Sequence, residues 1–152
     1  MDRRGLLGIL GGTVAALPVL RSAAASTPGK GAHRVAIQVS ANDAATMNLA
    51  LNNAKNVVDY YAEKGAKAQV EIVAYGPGLH MLRADTSPVI SRIATFKDSM
   101  PTVSFSACNN TKKGMEKAEG KPVVLIPEAV IVPAGVVRLM ERQEEGWSYI
   151  RP

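Results

Sequence analysis

Short apolar runs recur along residues 34–150, and between them the spacing of apolar positions changes from alternation to the three- and four-residue steps of a helix. The first run, 34–40, alternates and is rich in β-branched residues, which predicts a strand. Asn42 and Asp43 then supply an N-cap for a predicted helix that ends near Gly65. One apolar stripe runs along this helix and comprises Met47, Leu51, Ala54, Val58 and Tyr61.

The same pattern predicts further strands and helices in alternation: strands at 69–75, 102–106, 129–132 and 147–150, and helices at 79–83, 88–97, 109–120 and 135–143. Pro127 interrupts the extended run 123–126, so the fourth strand is placed after it, at 129–132. The resulting order, βαβαβαβαβ, predicts an α/β fold with a mainly parallel five-stranded sheet. Right-handed crossovers would place helices over both faces of that sheet.

The first 25 residues stand outside this alternation. Arg3 and Arg4 precede an apolar stretch of about 15 residues, 6–20, and small residues follow it up to Ala25. This order is typical of a signal peptide, and the paired arginines are similar to a twin-arginine export signal, although the general secretory route stays open. The apolar stretch is shorter than the roughly 20 residues of a spanning helix, so we expect no permanent membrane anchor.

Three segments of the chain follow from this reading. We expect a signal peptide at 1–25, a flexible leader of small and polar residues at 26–32, and a single domain at 33–152. The mature protein would then be exported, to the periplasm, after cleavage behind Ala25.

The net charge of the chain is +5, and cleavage after Ala25 lowers it to +3, with 15 basic and 12 acidic residues. The charges are scattered, and no arginine stripe is interleaved with aromatic residues, so we expect no nucleic-acid partner. His33 and His80 are far apart in sequence and a single cysteine cannot build a zinc cluster. We therefore expect neither a metal nor another cofactor.

Cys108 is the single cysteine of the sequence, and it lies between the predicted third strand and the helix that follows. The free amides of a helix N-terminus, together with the nearby Lys112 and Lys113, would lower the thiol pKa and favour the reactive thiolate. Free cysteine is also among the most buried residue types, so the other interpretation is a small packing residue. In an oxidising compartment, a thiol without an intrachain partner is buried, paired between chains or used chemically.

Ligands of open parallel sheets bind beyond the carboxyl ends of the strands. Three segments are delivered to that edge: 40–43, 76–78 and 107–110. The candidate catalytic residue there is Cys108, and the candidate substrate-binding residues are Asn109, Asn110, Thr111, Gly76, Gly78, His80 and Arg83. Each of the latter also has an ordinary interpretation: N-cap residues, a glycine turn, a surface histidine and a solvated arginine.

Five segments of the domain, in this order and spacing, resemble the DsrE/DsrF-like family of sulfur-relay proteins: 33–37, 74–79, 84–87, 105–111 and 132–139. The resemblance covers about residues 33–152. It implies a three-layer α/β/α fold of flavodoxin-like appearance, assembly into trimers or hexamers, and a cysteine that carries sulfur as a persulfide. Cys108 to Thr111 fits the Cys-x-x-Ser-type turn that bears this cysteine in the family.

The leading hypothesis is thus an exported sulfur carrier or sulfurtransferase that uses Cys108 and exchanges sulfur with the thiols of donor and acceptor proteins. Such exchange needs one accessible thiolate and no metal. Two other hypotheses remain. One is a non-catalytic, oligomeric binding or assembly module in which Cys108 packs, and the other is a small-anion site at the carboxyl edge.

Overall fold

The computed structural model describes residues 32–152. The predicted signal peptide and residues 26–31 of the predicted leader lie outside the described residues. The strands are β1 His33–Val39, β2 Ala68–Ala74, β3 Val103–Cys108, β4 Ala129–Val132 and β5 Ser148–Ile150. The α-helices are α1 Ala44–Glu63, α2 Ile90–Ser99, α3 Asn109–Glu119 and α4 Gly135–Glu144, and a 3₁₀ helix spans Gly76–Leu82. None of these helices combines the length and the apolar character that crossing a bilayer requires.

The five strands form one sheet in the order β4-β3-β2-β1-β5, and every neighbouring pair is parallel. The predicted α/β fold with a five-stranded parallel sheet between helices is confirmed. The chain steps outward in one direction from β1 to β4 and then returns across the sheet to β5. Because crossovers are right-handed, the three outward steps place α1, α2 and α3 on one face, and the returning step places α4 on the other.

The two faces of the sheet are packed differently. The face that carries α1, α2 and α3 holds the main apolar core, which includes Ile37, Ile72 and Phe105 from three adjacent strands. On the α4 face the buried apolar cluster contains only Ala36, Val73 and Leu139, with Tyr75 packed against it. Three buried polar side chains share that face by strand alternation: Gln38, Glu71 and Ser106.

Most predicted boundaries agree with the structure. Asp43 caps α1, since its Oδ2 accepts a hydrogen bond from the Thr46 N–H at 2.7 Å. Gly65 and Gly120 end their helices with φ of +67° and +65°. The fourth strand is at Ala129–Val132, as predicted.

Three predicted elements differ from the structure by two or more residues at a boundary. The helix predicted at 88–97 is α2, Ile90–Ser99, so Pro88 precedes it and does not lie in its first turn. The short helix predicted at 79–83 is a 3₁₀ helix that begins at Gly76, because Pro77 is tolerated in the first turn of a helix. The third strand, predicted at 102–106, extends to Cys108. Cys108 is therefore the last strand residue and also the N-cap of α3.

Gly78 allows the 3₁₀ helix to lie directly against the end of β1. A Cβ at this position would be 2.3 Å from the Val39 carbonyl oxygen, and backbone atoms have little freedom to move away. Gly78→Ala should therefore lower the free energy of unfolding by more than about 3 kcal/mol. The matched control is Gly114→Ala, in the interior of α3, where a Cβ would have no atom within 4 Å. It should raise stability by about 0.5–1 kcal/mol, because alanine favours the helix.

Both variants can be compared with the parent by urea denaturation. Equal midpoints for Gly78→Ala and the parent protein would contradict the close approach of Gly78 to β1.

Candidate functional site

The connections that leave β3 and β4 diverge to opposite faces of the sheet. β3 leads into α3 on one face, and its neighbour β4 leads into α4 on the other. Such a divergence of adjacent connections is the topological switch point where open α/β sheets bind ligands. Cys108, at the carboxyl end of β3, lies at this point, with Val132 of β4 as its register partner.

The sulfur of Cys108 is surrounded by backbone donors. The residue is 5% exposed, and its Sγ accepts a hydrogen bond from the Thr111 N–H at 3.4 Å. Burial raises the pKa of the Cys108 thiol, but hydrogen bonds from the Thr111 hydroxyl and from the N–H groups of Thr111, Gly135 and Asn110 outweigh it. The pKa of Cys108 is therefore lowered from its ordinary value.

These donors come from the first turns of two helices. Asn110 and Thr111 begin α3, and Gly135 begins α4. The N–H groups of a first helical turn have no acceptor within their own helix, so they are available to a negative charge. Two helix N-termini from opposite faces of the sheet thus stabilise one thiolate.

Thr111 connects the thiol to the glycine turn after β2. The Gly76 N–H donates a hydrogen bond to Thr111 Oγ1 at 2.9 Å. Because the hydroxyl oxygen accepts from Gly76, its own proton can be donated to the sulfur. Gly76 has φ of +52°, a left-handed conformation that glycine adopts without strain.

The remaining candidates of the loop after β3 lie at the mouth of the site. Asn109 is half-buried and Asn110 is exposed. The Asn110 N–H also donates to the Pro133 carbonyl at 3.3 Å, which ties the start of α3 to the loop before α4. The structure thus brings together Cys108, Asn109, Asn110, Thr111 and Gly76.

Three of the predicted binding residues have other contact partners: Gly78, His80 and Arg83. Gly78 packs against β1, and His80 Nδ1 lies 2.8 Å from Thr86 Oγ1. Arg83 is 2% exposed, so the interpretation of a solvated arginine is wrong. Its guanidinium contacts the carboxylates of Asp85 at 2.8 Å and Glu119 at 2.5 and 2.9 Å, which occupies it in joining the 3₁₀ helix to α3.

Arg83 and its carboxylate partners shift one another's pKa values. Hydrogen bonds to Asp85 and Glu119 raise the pKa of Arg83 further above its ordinary value. The hydrogen bonds from Arg83 in turn lower the pKa of Asp85 to about 2. Arg83 therefore remains a structural cation rather than a partner for a substrate anion.

Lys112 also has another partner. Its Nζ lies 2.5 Å from Glu116 Oε1, one turn along α3. The largest contributions that lower the pKa of Cys108 are hydrogen bonds from Thr111, Gly135 and Asn110, rather than the predicted charges of Lys112 and Lys113.

Gly135 was missed by sequence reasoning. A Cβ on Gly135 would lie 2.8 Å from the Cβ of Tyr75, so a glycine is what lets the start of α4 approach the sheet. The signal was present: the rule that selected the loops after strands one, two and three applies equally to the loop 133–135 after strand four.

A buried carboxylate lies deeper on the same face of the sheet. Glu71 is 1% exposed, and its Oε1 accepts hydrogen bonds from Ser106 Oγ at 2.5 Å and Arg138 Nε at 2.7 Å. Its Oε2 accepts from Arg142 Nε at 2.5 Å. Burial raises the pKa of Glu71, but the hydrogen bonds from Arg138, Ser106 and Arg142 lower it by more.

A shallow pocket lies between the end of β4 and α4, beside the site. It is lined by Val132, Pro133, Ala134, Val137, Arg138 and Glu141. Within residues 32–152 no group of three or more histidine, cysteine, aspartate or glutamate residues is arranged to hold a metal ion. The described site itself contains a thiol, a hydroxyl and backbone N–H groups.

The Thr111 hydroxyl is the first of the hydrogen-bond donors that lower the pKa of Cys108, so its removal should raise that pKa. Loss of a hydrogen bond to a charged group costs about 1.5 kcal/mol or more, which corresponds to about tenfold less thiolate below the pKa. We expect Thr111→Val to slow the alkylation of native Cys108 by iodoacetamide by this factor at low pH. Thr111→Ser keeps the hydroxyl and is expected to retain the rate.

A rate–pH profile for the parent and both variants measures the effect. Identical profiles for Thr111→Val and Thr111→Ser would show that the hydroxyl does not stabilise the thiolate.

Comparison with family models gives no match to this chain, and comparison with curated proteins gives none either. Among solved structures, the chain is similar to MTH1491 from Methanobacterium thermoautotrophicum, a protein of unknown function. The two share 30% sequence identity with a TM-score of 0.67, over 79% of this chain and 99% of that chain. Since the similarity spans nearly all of MTH1491 at this identity, the chain belongs to the same family as that protein.

Proposed function

We propose that this protein carries sulfane sulfur as a persulfide on Cys108. The observation that carries the proposal is the position of Sγ at the switch point, where N–H groups of α3 and α4 and the Thr111 hydroxyl lower the thiol pKa. The resemblance of residues 105–111 to the cysteine-bearing turn of DsrE/DsrF-like sulfur-relay proteins supports it.

The proposed reaction consists of two thiol exchanges. In the first, the Cys108 thiolate attacks the outer sulfur of a donor persulfide, so that the donor S–S bond breaks, a new S–S bond forms on Cys108 and the donor leaves as a thiolate. In the second, an acceptor thiolate attacks the outer sulfur on Cys108 and releases the Cys108 thiolate. Each step forms one S–S bond and breaks one, so no external oxidant or reductant is consumed.

The site residues stabilise the negative charge of the Cys108 thiolate and do not transfer a proton. Cys108 is negatively charged before capture and again after release, and the donors from Thr111 and Gly135 stabilise it in both states. Since the residue is 5% exposed, the donor must present its terminal sulfur on a narrow group, such as a polysulfide chain or a persulfide at the tip of a loop.

The proposal includes export. Residues 1–25 have the order of a signal peptide, with paired arginines before the apolar centre and small residues before the cleavage site. The donor and acceptor would then be thiols of other periplasmic proteins.

The first test joins export and sulfur binding in one measurement of intact mass. The full chain, produced in a bacterium with a periplasm, is recovered from the periplasmic fraction and incubated with polysulfide. We expect a mass that begins at Ser26, increased by one sulfur atom and returned to its starting value by a thiol. Cys108→Ser should be exported equally and should gain no sulfur.

The measurement tests export and sulfur binding separately. A protein found only in the cytoplasm with residues 1–25 attached would overturn export. A parent protein that gains no more sulfur than Cys108→Ser would overturn the persulfide.

A second candidate function is a non-catalytic assembly module in which Cys108 is a packing residue. The observation that favours it is the burial of Cys108, which is 5% exposed at the end of a strand paired with β4. In that case iodoacetamide would label Cys108 only after denaturation, whereas the sulfur carrier is labelled in the native state, at a rate that persists at low pH.

We also propose that the protein is a homo-oligomer. Exposed apolar residues gather on α4 and on the edge strand β4: Val130, Ile131, Val136, Val137 and Met140. An edge strand with exposed apolar side chains is a common site of association between chains. The trimers or hexamers implied by the DsrE/DsrF-like resemblance would bury such a surface.

A charge on α4 should therefore dissociate the assembly. Met140 is 54% exposed, and Met140→Glu is expected to convert the oligomer into monomers at micromolar concentration, as measured by light scattering after size exclusion. Leu49→Glu is the matched control, because Leu49 is 46% exposed on α1, on the opposite face of the sheet. A monomeric parent protein, or equal behaviour of the two variants, would contradict this interface.

A further inference from the structure

α4 is held on the sheet by little apolar contact. Its one buried large apolar side chain, Leu139, packs on Ala36 and Val73. The main core of the described residues, by contrast, lies wholly on the opposite face. Polar contacts must therefore contribute much of the free energy that holds α4 against the sheet.

Glu71 supplies those polar contacts. Glu71 lies on β2. Its carboxylate accepts hydrogen bonds from Arg138 and Arg142, which lie one turn apart on α4, and from Ser106 on β3. Both arginines have a second, exposed carboxylate partner, since Arg138 lies 3.7 Å from Glu141 and Arg142 lies 2.7 Å from Glu145. Glu71 is thus the buried anion between two cations of one helix.

The Glu71 carboxylate is linked to both elements that flank Cys108: the helix α4 and the strand β3. Gly135 precedes Arg138 by three residues, which is about 4.5 Å along the helix axis. Ser106 precedes Cys108 by two residues on the same face of β3, which is about 6.7 Å. Glu71 therefore joins the strand that carries the sulfur to the helix that carries one of its N–H donors.

We propose that Glu71 is a positioning residue for Cys108, which keeps α4 docked so that the first turn of α4 stays beside the sulfur, next to the register partner Val132 and the Asn110–Pro133 hydrogen bond. This inference rests on the proposed function, because it concerns the thiolate that the sulfur chemistry uses. Glu71 acts through Arg138 and Arg142 and does not touch the reacting atom.

For Glu71, positioning and simple charge repulsion predict opposite signs of the shift in the pKa of Cys108, whereas for Arg138 both predict a rise. A negative charge near a thiolate disfavours it, so loss of the Glu71 charge alone would lower the pKa of Cys108. Loss of the Arg138 charge alone would raise it. If Glu71 and Arg138 act by docking α4, removing either of them moves the first turn of α4 away from the sulfur and raises the pKa.

The test is the rate–pH profile of iodoacetamide alkylation for the parent, Glu71→Gln and Arg138→Met, with folding checked by circular dichroism. We expect both variants to react about tenfold more slowly at a fixed pH below the pKa, the effect of losing a hydrogen bond to a charged group. Glu145→Gln is the matched control, since it removes an exposed carboxylate from the same Arg142. It should retain the parent profile.

An unchanged or faster rate for Glu71→Gln overturns the positioning role. If Glu71→Gln does not fold, an unchanged profile of Arg138→Met overturns it instead. A parent protein whose Cys108 titrates in the ordinary range contradicts the thiolate of the proposed function itself. A parent with a low thiol pKa and a persulfide, beside an unchanged Glu71→Gln, leaves that function intact and removes only the role of Glu71.

Discussion

The placement of the helices follows from right-handed crossovers and from a single reversal in the direction in which the chain crosses the sheet. Three outward connections place three helices over one face of the sheet, and the return from β4 to β5 places α4 alone on the other. Because the reversal comes after β4, the neighbour of β3, two helices begin beside adjacent strand ends, on opposite faces. The surroundings of Cys108 follow from this topology: the first turns of α3 and α4 lie on either side of the sulfur, and the Thr111 N–H of α3 donates to it.

The unequal covering of the sheet has an electrostatic consequence. A single helix cannot exclude water from a whole sheet face as three helices can, and the α4 face accordingly retains Gln38, Glu71 and Ser106 among its buried residues. A buried carboxylate is costly unless it is paired and hydrogen-bonded. Glu71 meets that condition through two arginines and a serine, so α4 is oriented by directional contacts as well as by apolar packing.

Local signals in the sequence predicted what depends on local physics. The Asp43 cap, the glycine stops at 65 and 120 and the effect of Pro127 on the fourth strand are each determined within a few residues, and each is confirmed. The position of Cys108 at the carboxyl edge followed from the order of elements. Arg83 and Glu71 could not be placed in this way. Besides the neighbouring Asp85, Arg83 pairs with Glu119, 36 residues away, and Glu71 pairs with residues 35, 67 and 71 positions away, all chosen by the tertiary fold. Gly135 lay within reach of the same edge rule.

The relay from the Gly76 N–H through the Thr111 hydroxyl to the sulfur also bears on how long sulfur would stay on the protein. A thiol whose anion is stabilised by donors is a better leaving group, and its intrinsic nucleophilicity is lower. In the proposed exchange, the same hydrogen bonds that prepare Cys108 to accept sulfur therefore hasten its departure when an acceptor attacks. Such a site is suited to passing sulfur on, and a protein built to store it would need the opposite environment.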